Sequence, residues 1–198
     1  MNRFEGKSVL VTGGSSGIGL AAAHAFIAEG SRVIITGRDG AALAEAKAAL
    51  ATNAIALRND AGVVAEAKEL TAALASQHIR LDAVFINAGS AKFAPLADVD
   101  EVLWDQGFDT NVKGAYFQIQ ALLPLLNAGA SIVLNGSINA HIGMPNSSVY
   151  AASKAAMIPL GRFGTPQELA STVLHVAAAE SAFIVGSEIV VDGGMSQL

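Results

Sequence analysis

Three side chains in the second half of the sequence have the types and spacing of an acid-base site. Tyr150 and Lys154 lie four residues apart, which on a helix puts both on one face, about one turn from each other. A tyrosine ordinarily titrates near pH ~10, but a neighbouring cation favours the phenolate and makes the hydroxyl a usable proton donor or acceptor. Ser137 follows a strand-like run, so its hydroxyl could hold a carbonyl oxygen at the sheet edge where ligands bind. The pattern predicts proton transfer at a carbonyl or alcohol oxygen.

A glycine-rich turn near the amino terminus predicts a dinucleotide site. Residues 12–19 are Thr-Gly-Gly-Ser-Ser-Gly-Ile-Gly and lie between the first predicted strand and the first predicted helix. One glycine of such a turn permits the tight reversal, another lets the backbone approach a pyrophosphate, and the last allows close packing of the helix on the strand. The free N–H groups and the positive dipole end of the helix then bind phosphates. The candidates for cofactor binding in this turn are Gly13, Ser15, Ser16, Gly17 and Gly19.

The same turn also fits a different class of enzyme. Residues 13–17 satisfy G-x-S-x-G, the nucleophile elbow of serine hydrolases, in which Ser15 would be the nucleophile. A hydrolase needs a later acidic residue and a histidine base, for which His141 and His175 are available. Against this hypothesis, the elbow normally follows several strands rather than the first one, and Gly19 has no role in it.

The elements that must position these residues are short β-branched runs alternating with longer Ala-rich amphipathic runs. Strands that are apolar on nearly every residue are expected where both faces of a parallel sheet are covered by helices. The fold class is therefore α/β, a doubly wound parallel sheet in a single domain over residues 1–198. The predicted strands are residues 8–12, 32–36, 53–57, 81–87, 131–135 and 187–191, and the predicted helices are residues 17–29, 40–50, 62–76, 99–127 and 165–179.

Composition excludes several classes of function. The 198 residues are 52% hydrophobic and 15% charged, with 12 Lys+Arg against 17 Asp+Glu and a net charge of -5. This apolar content and small charge exclude a disordered chain, and the acidic balance lacks the footprint of a nucleic-acid binder. The absence of cysteine excludes disulfides and thiol catalysis. No apolar run approaches the length of about 18 residues that spans a membrane, and no signal peptide precedes the first strand, so we expect a cytoplasmic protein. No His, Asp and Glu cluster has metal-ligand spacing.

The motifs taken together resemble the short-chain dehydrogenase/reductase family. Besides the glycine turn and the Tyr150/Lys154 pair, they include Asn87-Ala88-Gly89 and Asn111, and the matches run from about residue 7 to 154 and again from about 158 to 198. The resemblance implies a small carbonyl or alcohol substrate, a homo-oligomer (tetramer or dimer), and hydride transfer that belongs to a bound nicotinamide.

The resemblance also implies roles for single residues. Tyr150 would exchange the proton with the substrate and also contact the cofactor. Lys154 would favour ionisation of the tyrosine and bind the nicotinamide ribose. Ser137 would polarise the carbonyl, and Asn111 would hold a water in the proton relay. Asn87, Ala88 and Gly89 would stabilise the central sheet and line the cofactor cleft. Asp60 would form a hydrogen bond with the adenine, and Ile18 would lie under the cofactor.

The residue that follows the second strand predicts the choice of cofactor. An acidic residue there would bind the ribose 2′-hydroxyl of NAD and repel a 2′-phosphate, but this chain has Arg38. An arginine offers a fork of donors suited to phosphate, so NADP is favoured and NAD stays possible.

The pattern breaks after Lys154. The sequence from Ile158 to Gly164 is similar to the segment that follows the substrate lid in the family, so on the order of forty to fifty residues of the doubly wound pattern are absent near Met157/Ile158. Either the molecule contains residues at this point that the sequence lacks, or the polypeptide is truly shortened. In a shortened chain Pro159 ends the helix early and the strand at 187–191 moves to pair with that at 131–135. The alternative to an oxidoreductase is then a dinucleotide-binding protein with little or no turnover.

Overall fold

A computed structural model describes residues 2–50 and 53–156 of the chain. The chain divides into two compact units, Met1–Ala155 and Ala156–Leu198, and the fold given below is that of the first. The predicted helix at 165–179 and the predicted strand at 187–191 lie outside the described residues, as does the junction at Met157/Ile158.

Five parallel strands form one sheet with the order β3-β2-β1-β4-β5. Their bounds are Ser8–Val11 (β1), Arg32–Gly37 (β2), Ala54–Arg58 (β3), Leu81–Ile86 (β4) and Leu126–Leu134 (β5). The core lies at β1 and β2. The fully buried residues Val9, Leu10 and Val11 of β1 pair in register with the fully buried run from Val33 to Ile35 in β2. Apolar residues succeed one another in these strands because helices cover both faces of the sheet. The predicted doubly wound parallel sheet is confirmed.

The helices connect successive strands and cover the sheet. Their bounds are Gly17–Ala28 (α1), Gly40–Leu50 (α2), Val64–Ser76 (α3), Glu101–Phe108 (α4), Ala115–Leu122 (α5) and Ser148–Ala155 (α6). The order of the strands reverses between β1 and β4, so the carboxyl ends of these two strands open into a crevice. Open α/β sheets bind ligands at this position. No helix within the described ranges is long and apolar enough to cross a membrane.

The prediction of one continuous helix at 99–127 is wrong, because the structure has two separate α-helices, α4 and α5, in this range. After α4 the backbone widens into a π-helical segment, Asp109–Gly114, before α5 begins. A turn of 3₁₀ helix, Leu123–Leu125, contains Pro124, and because proline cannot donate the helical hydrogen bond, α5 ends at Leu122. Strand β5 begins at Leu126 rather than at residue 131, so Asn127 belongs to a strand.

Candidate active site

The glycine turn is tied to the end of β4 by hydrogen bonds at the switch point of the sheet. The Thr12 hydroxyl accepts hydrogen bonds from the backbone N–H groups of Asn87 and Ala88, both at 2.9 Å. In return, the side-chain amide of Asn87 donates to the carbonyl oxygens of Thr12 at 3.0 Å and Gly13 at 3.3 Å. These bonds fix the turn against the neighbouring strand, so the open ends of β1 and β4 form one rigid edge.

Two glycines of the turn occupy positions that no other residue fits. Gly13 has φ +63°, and a Cβ there would lie 2.9 Å from the Cα of Ala88. A Cβ on Gly19 would lie 2.6 Å from Nδ2 of Asn87 and would also collide with the carbonyl oxygen of Gly13. The positive φ favours glycine at the first position, and close packing requires it at the second. The start of α1 therefore lies directly on the turn, as the sequence predicted for a dinucleotide site.

The amino terminus of α1 is free to bind an anion. Ser16, the capping residue, has an extended backbone and its side chain makes no capping hydrogen bond, while the first turn of the helix contains no acidic residue. The first N–H groups of a helix have no partner within the helix, and the helix dipole adds positive potential at the same place. The turn and the helix start thus fit the pyrophosphate of a dinucleotide.

A cleft of about 350 Å³ lies over this edge of the sheet. Ten of the thirteen predicted cofactor-binding residues line it, whereas Gly19 lies packed under the turn, and Tyr150 and Lys154 are not part of its wall. Several lining residues were missed by the sequence analysis because nothing in their local pattern marks them. The full lining is Gly13, Ser15, Ser16, Gly17, Ile18, Gly37, Arg38, Asn59, Asp60, Ala61, Asn87, Ala88, Gly89, Ser90 and Thr110.

Arg38 and its neighbour Asp39 differ in their contacts: Arg38 lines the cleft, whereas Asp39 caps a helix. Arg38 is exposed at the cleft and has no hydrogen-bond or ion-pair partner among the described residues. The Asp39 carboxylate instead accepts hydrogen bonds from the N–H groups of Ala41 and Ala42, at 2.9 and 3.1 Å, and so caps α2. The acidic side chain nearest to Arg38 in sequence is therefore committed to the helix, and the guanidinium is left for a ligand.

Asp60 lies beyond the end of β3 in the same cleft. One of its carboxylate oxygens accepts a hydrogen bond from the N–H of Gly62 at 2.9 Å, and its own N–H donates to Glu66 at 2.6 Å. These bonds hold the loop that forms this wall of the cleft, next to Ala61.

Lys154 is a buried cation at the carboxyl edge of β5. Its Nζ donates to the carbonyl oxygen of Asn135 at 2.6 Å and lies 6.0 Å from the centre of the Tyr150 ring. Burial lowers the pKa of the Lys154 ammonium below its usual value. The predicted Tyr150/Lys154 pair is on one helix, α6, with the lysine on the buried side and the tyrosine partly exposed.

The side chain of Asn111 is used by the protein itself. It is fully buried in the π-helical segment, accepts from the N–H of Ser90 at 2.7 Å, and donates to the Ser90 carbonyl and to the Ser153 hydroxyl, both at 2.9 Å. Asn111 therefore joins the loop after β4 to helix α6. Ser153 was missed by the sequence analysis, although its position directly before Lys154 was a signal that could have marked it.

Ser137 and Tyr150 lie on successive parts of the chain that pack together. Ser137 comes directly before a turn of 3₁₀ helix, Ile138–Ala140, which packs against α6, and its hydroxyl accepts from the N–H of Asn139 at 3.2 Å. The ring of Phe93 makes an edge contact with that of Tyr150, with the ring centres 5.7 Å apart. The sequence analysis also missed Phe93.

The hydrolase hypothesis receives no support from the geometry around Ser15. His141 and the other histidines within the described residues form no hydrogen bond with Ser15, whose hydroxyl lies against Gly37. His175, the other predicted base, lies outside the described residues. No group of three or more metal-ligating side chains is present in residues 2–50 and 53–156.

Comparison with known proteins places the chain in a family. A family model described as short chain dehydrogenase matches residues 7–190. An oxidoreductase of Sarocladium schorii is 33% identical over 246 aligned positions, which cover 100% of this chain and 99% of the relative. Because this chain has 198 residues, at least 48 of those positions (246 less 198) have no counterpart in it.

Solved structures have the same fold. The NADP complex of Pseudomonas aeruginosa RhlG is 27% identical, with a TM-score of 0.76, and the match covers 100% of this chain and 98% of that one. NAD⁺-bound xylitol dehydrogenase is also 27% identical, with a TM-score of 0.74 over 80% of this chain and 64% of that one. The matched family model, together with these likenesses, shows that the chain belongs to the short-chain dehydrogenase family, whose members are NAD(P)-dependent oxidoreductases.

Proposed function

We propose that the protein is an NADP(H)-preferring oxidoreductase that interconverts a carbonyl and a secondary alcohol through Tyr150, Lys154, Ser137 and Asn111. The observation that carries the proposal is the position of Lys154. Its ammonium is buried, is bound to the Asn135 carbonyl, and lies within 6.0 Å of the Tyr150 ring. Because water screens a buried charge less than an exposed one, the Lys154 ammonium interacts more strongly with groups around it than a lysine on the exposed face of α6 would.

Each of the four residues has a task in the reaction. A bound nicotinamide supplies or accepts the hydride at the carbon of the carbonyl or alcohol. Tyr150 gives its hydroxyl proton to the carbonyl oxygen during reduction and takes it back during oxidation. Lys154, whose ammonium lies 6.0 Å from the centre of the Tyr150 ring, would hold the nicotinamide ribose. Ser137 donates a hydrogen bond to the same oxygen. The Asn111 amide bonds Ser90 and Ser153 and so holds the π-helical segment in place, and in the proposed reaction Asn111 also holds a relay water.

The preference for NADP is inferred from the charges at the end of β2. Arg38 reaches the cleft without a described partner, and Asp39 is committed to capping α2. A ribose 2′-phosphate at this point meets a guanidinium rather than a carboxylate, which favours the phosphorylated cofactor. NAD stays possible, since the neighbouring folds include complexes with either cofactor.

Replacement of Tyr150 tests the reaction. We expect Tyr150→Phe to lower the rate of NADPH-dependent carbonyl reduction by a factor of about 10² to 10⁴, because the proton donor is lost. NADPH binding, measured by titration of cofactor fluorescence, stays unchanged. The matched control is Tyr116→Phe, which changes the other tyrosine of the chain, an exposed residue of α5. Equal turnover by Tyr150→Phe and wild type would overturn the mechanism.

The alternative function is binding of a dinucleotide without turnover. The observation that favours it is the shortfall of at least 48 aligned positions (246 less 198) against the oxidoreductase of S. schorii. NADPH binding with no reduction across a broad carbonyl panel supports this alternative. A serine hydrolase would instead cleave an activated ester and lose that activity in Ser15→Ala, and membership of the family favours the oxidoreductase over it.

Homo-oligomer formation and a cytoplasmic location stay predictions. Half-exposed apolar side chains on α4 and α5, among them Trp104 and Tyr116, fit an interface between subunits. Sedimentation velocity of the purified protein gives the number of subunits.

A further inference from the structure

The segment after β4 is fixed at both ends of a short stretch around Phe93. Ser90 is held through its N–H and its carbonyl by the buried amide of Asn111. Four residues later, the N–H of Ala94 donates to the carbonyl oxygen of Asn146 at 2.9 Å. Between these points the Lys92 ammonium donates to the side-chain oxygen of Gln106 on α4. The backbone around Phe93 is therefore held in one arrangement.

The partner of Ala94 also has an unusual backbone. Asn146 adopts φ +64°, in the left-handed region that favours glycine. Asparagine tolerates this region better than most residues, but it still has a cost that the surrounding contacts must offset. The hydrogen bond to Ala94 is one such contact, and it joins the loop after β4 to the loop before α6.

Between these joined loops an apolar surface lies beside Tyr150. The Phe93 ring contacts the Tyr150 ring at an interplanar angle of 62°, and Phe93 remains 50% exposed. The loop before α6, whose Asn146 bonds Ala94, also carries two exposed apolar side chains, Ile142 and Met144, which are 50% and 51% exposed. The one charged side chain next to Phe93 in sequence, Lys92, is turned to Gln106.

We infer that Phe93 determines substrate specificity and selects carbonyl compounds that carry an aromatic ring beside the carbonyl group. The inference rests on the proposed function, since it takes Tyr150 as the proton donor. A carbonyl oxygen at the Tyr150 hydroxyl puts the adjoining substituent next to the Phe93 ring, and aromatic rings pair favourably when their centres are about 4.5–7 Å apart. A polyhydroxylated substituent there would lose water without gaining hydrogen bonds from the Phe93 ring.

Kinetics of the full chain with three ketones test the inference. With acetophenone, butan-2-one and dihydroxyacetone as probes, wild type should have the highest kcat/KM for acetophenone. Phe93→Ala should lower that value by about tenfold or more and change the value for butan-2-one much less, because a lost aromatic contact affects one substrate selectively. Phe93→Tyr, which keeps the ring, should restore the preference. The matched control is Leu96→Ala, which changes an exposed apolar residue farther along the chain from Phe93. It should leave unchanged the ratio of kcat/KM for acetophenone to kcat/KM for butan-2-one.

The outcomes separate this inference from the proposed function. Reduction of butan-2-one or dihydroxyacetone in preference to acetophenone, with the same ratios in Phe93→Ala, overturns the inference and leaves the oxidoreductase in place. If wild type reduces none of the three and no member of the broad carbonyl panel, the proposed function fails. Saturation-transfer NMR of 1-phenylethanol with the protein and NADP⁺ then tests Phe93 without turnover. The inference is supported if saturation is transferred to the phenyl protons by wild type and this transfer is lost in Phe93→Ala. It is overturned if wild type shows no such transfer, or if the variant shows the same transfer as wild type.

Discussion

At the residue scale, the proposed preference for NADP over NAD rests on Arg38. Replacing Arg38 by Gln removes a charged donor from the cleft, and a hydrogen bond to a charged group contributes about 1.5–3 kcal/mol. We expect the Kd of NADPH to rise by about tenfold or more and that of NADH to stay the same, as measured by calorimetric titration. Arg32→Gln is the control, because Arg32 lies at the opposite end of the same strand. A parallel loss of affinity for both cofactors would contradict the proposed 2′-phosphate contact.

The buried ammonium of Lys154 makes stability depend on pH. Because burial lowers its pKa in the folded protein, the folded state releases this proton first as the pH rises, while the unfolded chain keeps it until about 10.5. In that window the unfolded state binds more protons, so the free energy of unfolding gains a contribution that rises with pH. We expect urea denaturation between pH 7 and pH 10 to show this contribution in wild type and in Lys47→Met, which changes an exposed lysine. Lys154→Met should lack it, and identical pH profiles for the two variants would contradict the argument.

At the element scale, the junction between the glycine turn and α1 has no room for a side chain. Gly19→Ala forces a methyl group against the Gly13 carbonyl and the Asn87 amide, and such overpacking costs about 1–3 kcal/mol. We expect a lower midpoint in urea denaturation and NADPH binding weakened at least tenfold. Gly40→Ala is the control, since a methyl at that helical position meets no atom within 4 Å. Wild-type NADPH affinity in Gly19→Ala would show that the turn does not bind the cofactor.

The elements differ in how far the sequence determines them. Continuous apolar runs predicted β1 and β2, and the glycine spacing predicted the cleft, because both signals are local. The π-helical segment was missed because the residues that contact it are distant in sequence: Asn111 bonds Ser90 and Ser153, residues of two other parts of the fold. Phe93 was missed for the same reason, since only the folded chain brings it to Tyr150.

At the scale of the whole molecule, β5 combines the sequence of an interior strand with the exposure of an edge strand. Ile132, Val133 and Leu134 are apolar in succession, which is typical of strands covered on both faces. Yet no residue of β5 is buried, Val133 is 51% exposed, and within the described residues β5 pairs with β4 alone. The sequence of β5 thus fits a sheet that continues beyond it, in line with the shortfall against the relative from S. schorii.

The mass of the polypeptide made from its own gene tests whether the sheet continues. We expect electrospray mass spectrometry of the intact protein to give a value several kilodaltons above 20.1 kDa, because residues near Met157/Ile158 would supply the neighbour of β5. The same sample should reduce carbonyl compounds, since those residues would also help to hold the substrate in register with the nicotinamide. A mass of 20.1 kDa contradicts this prediction. It means a truly shortened chain, and NADPH binding without reduction in that sample would then favour the dinucleotide-binding protein over the enzyme.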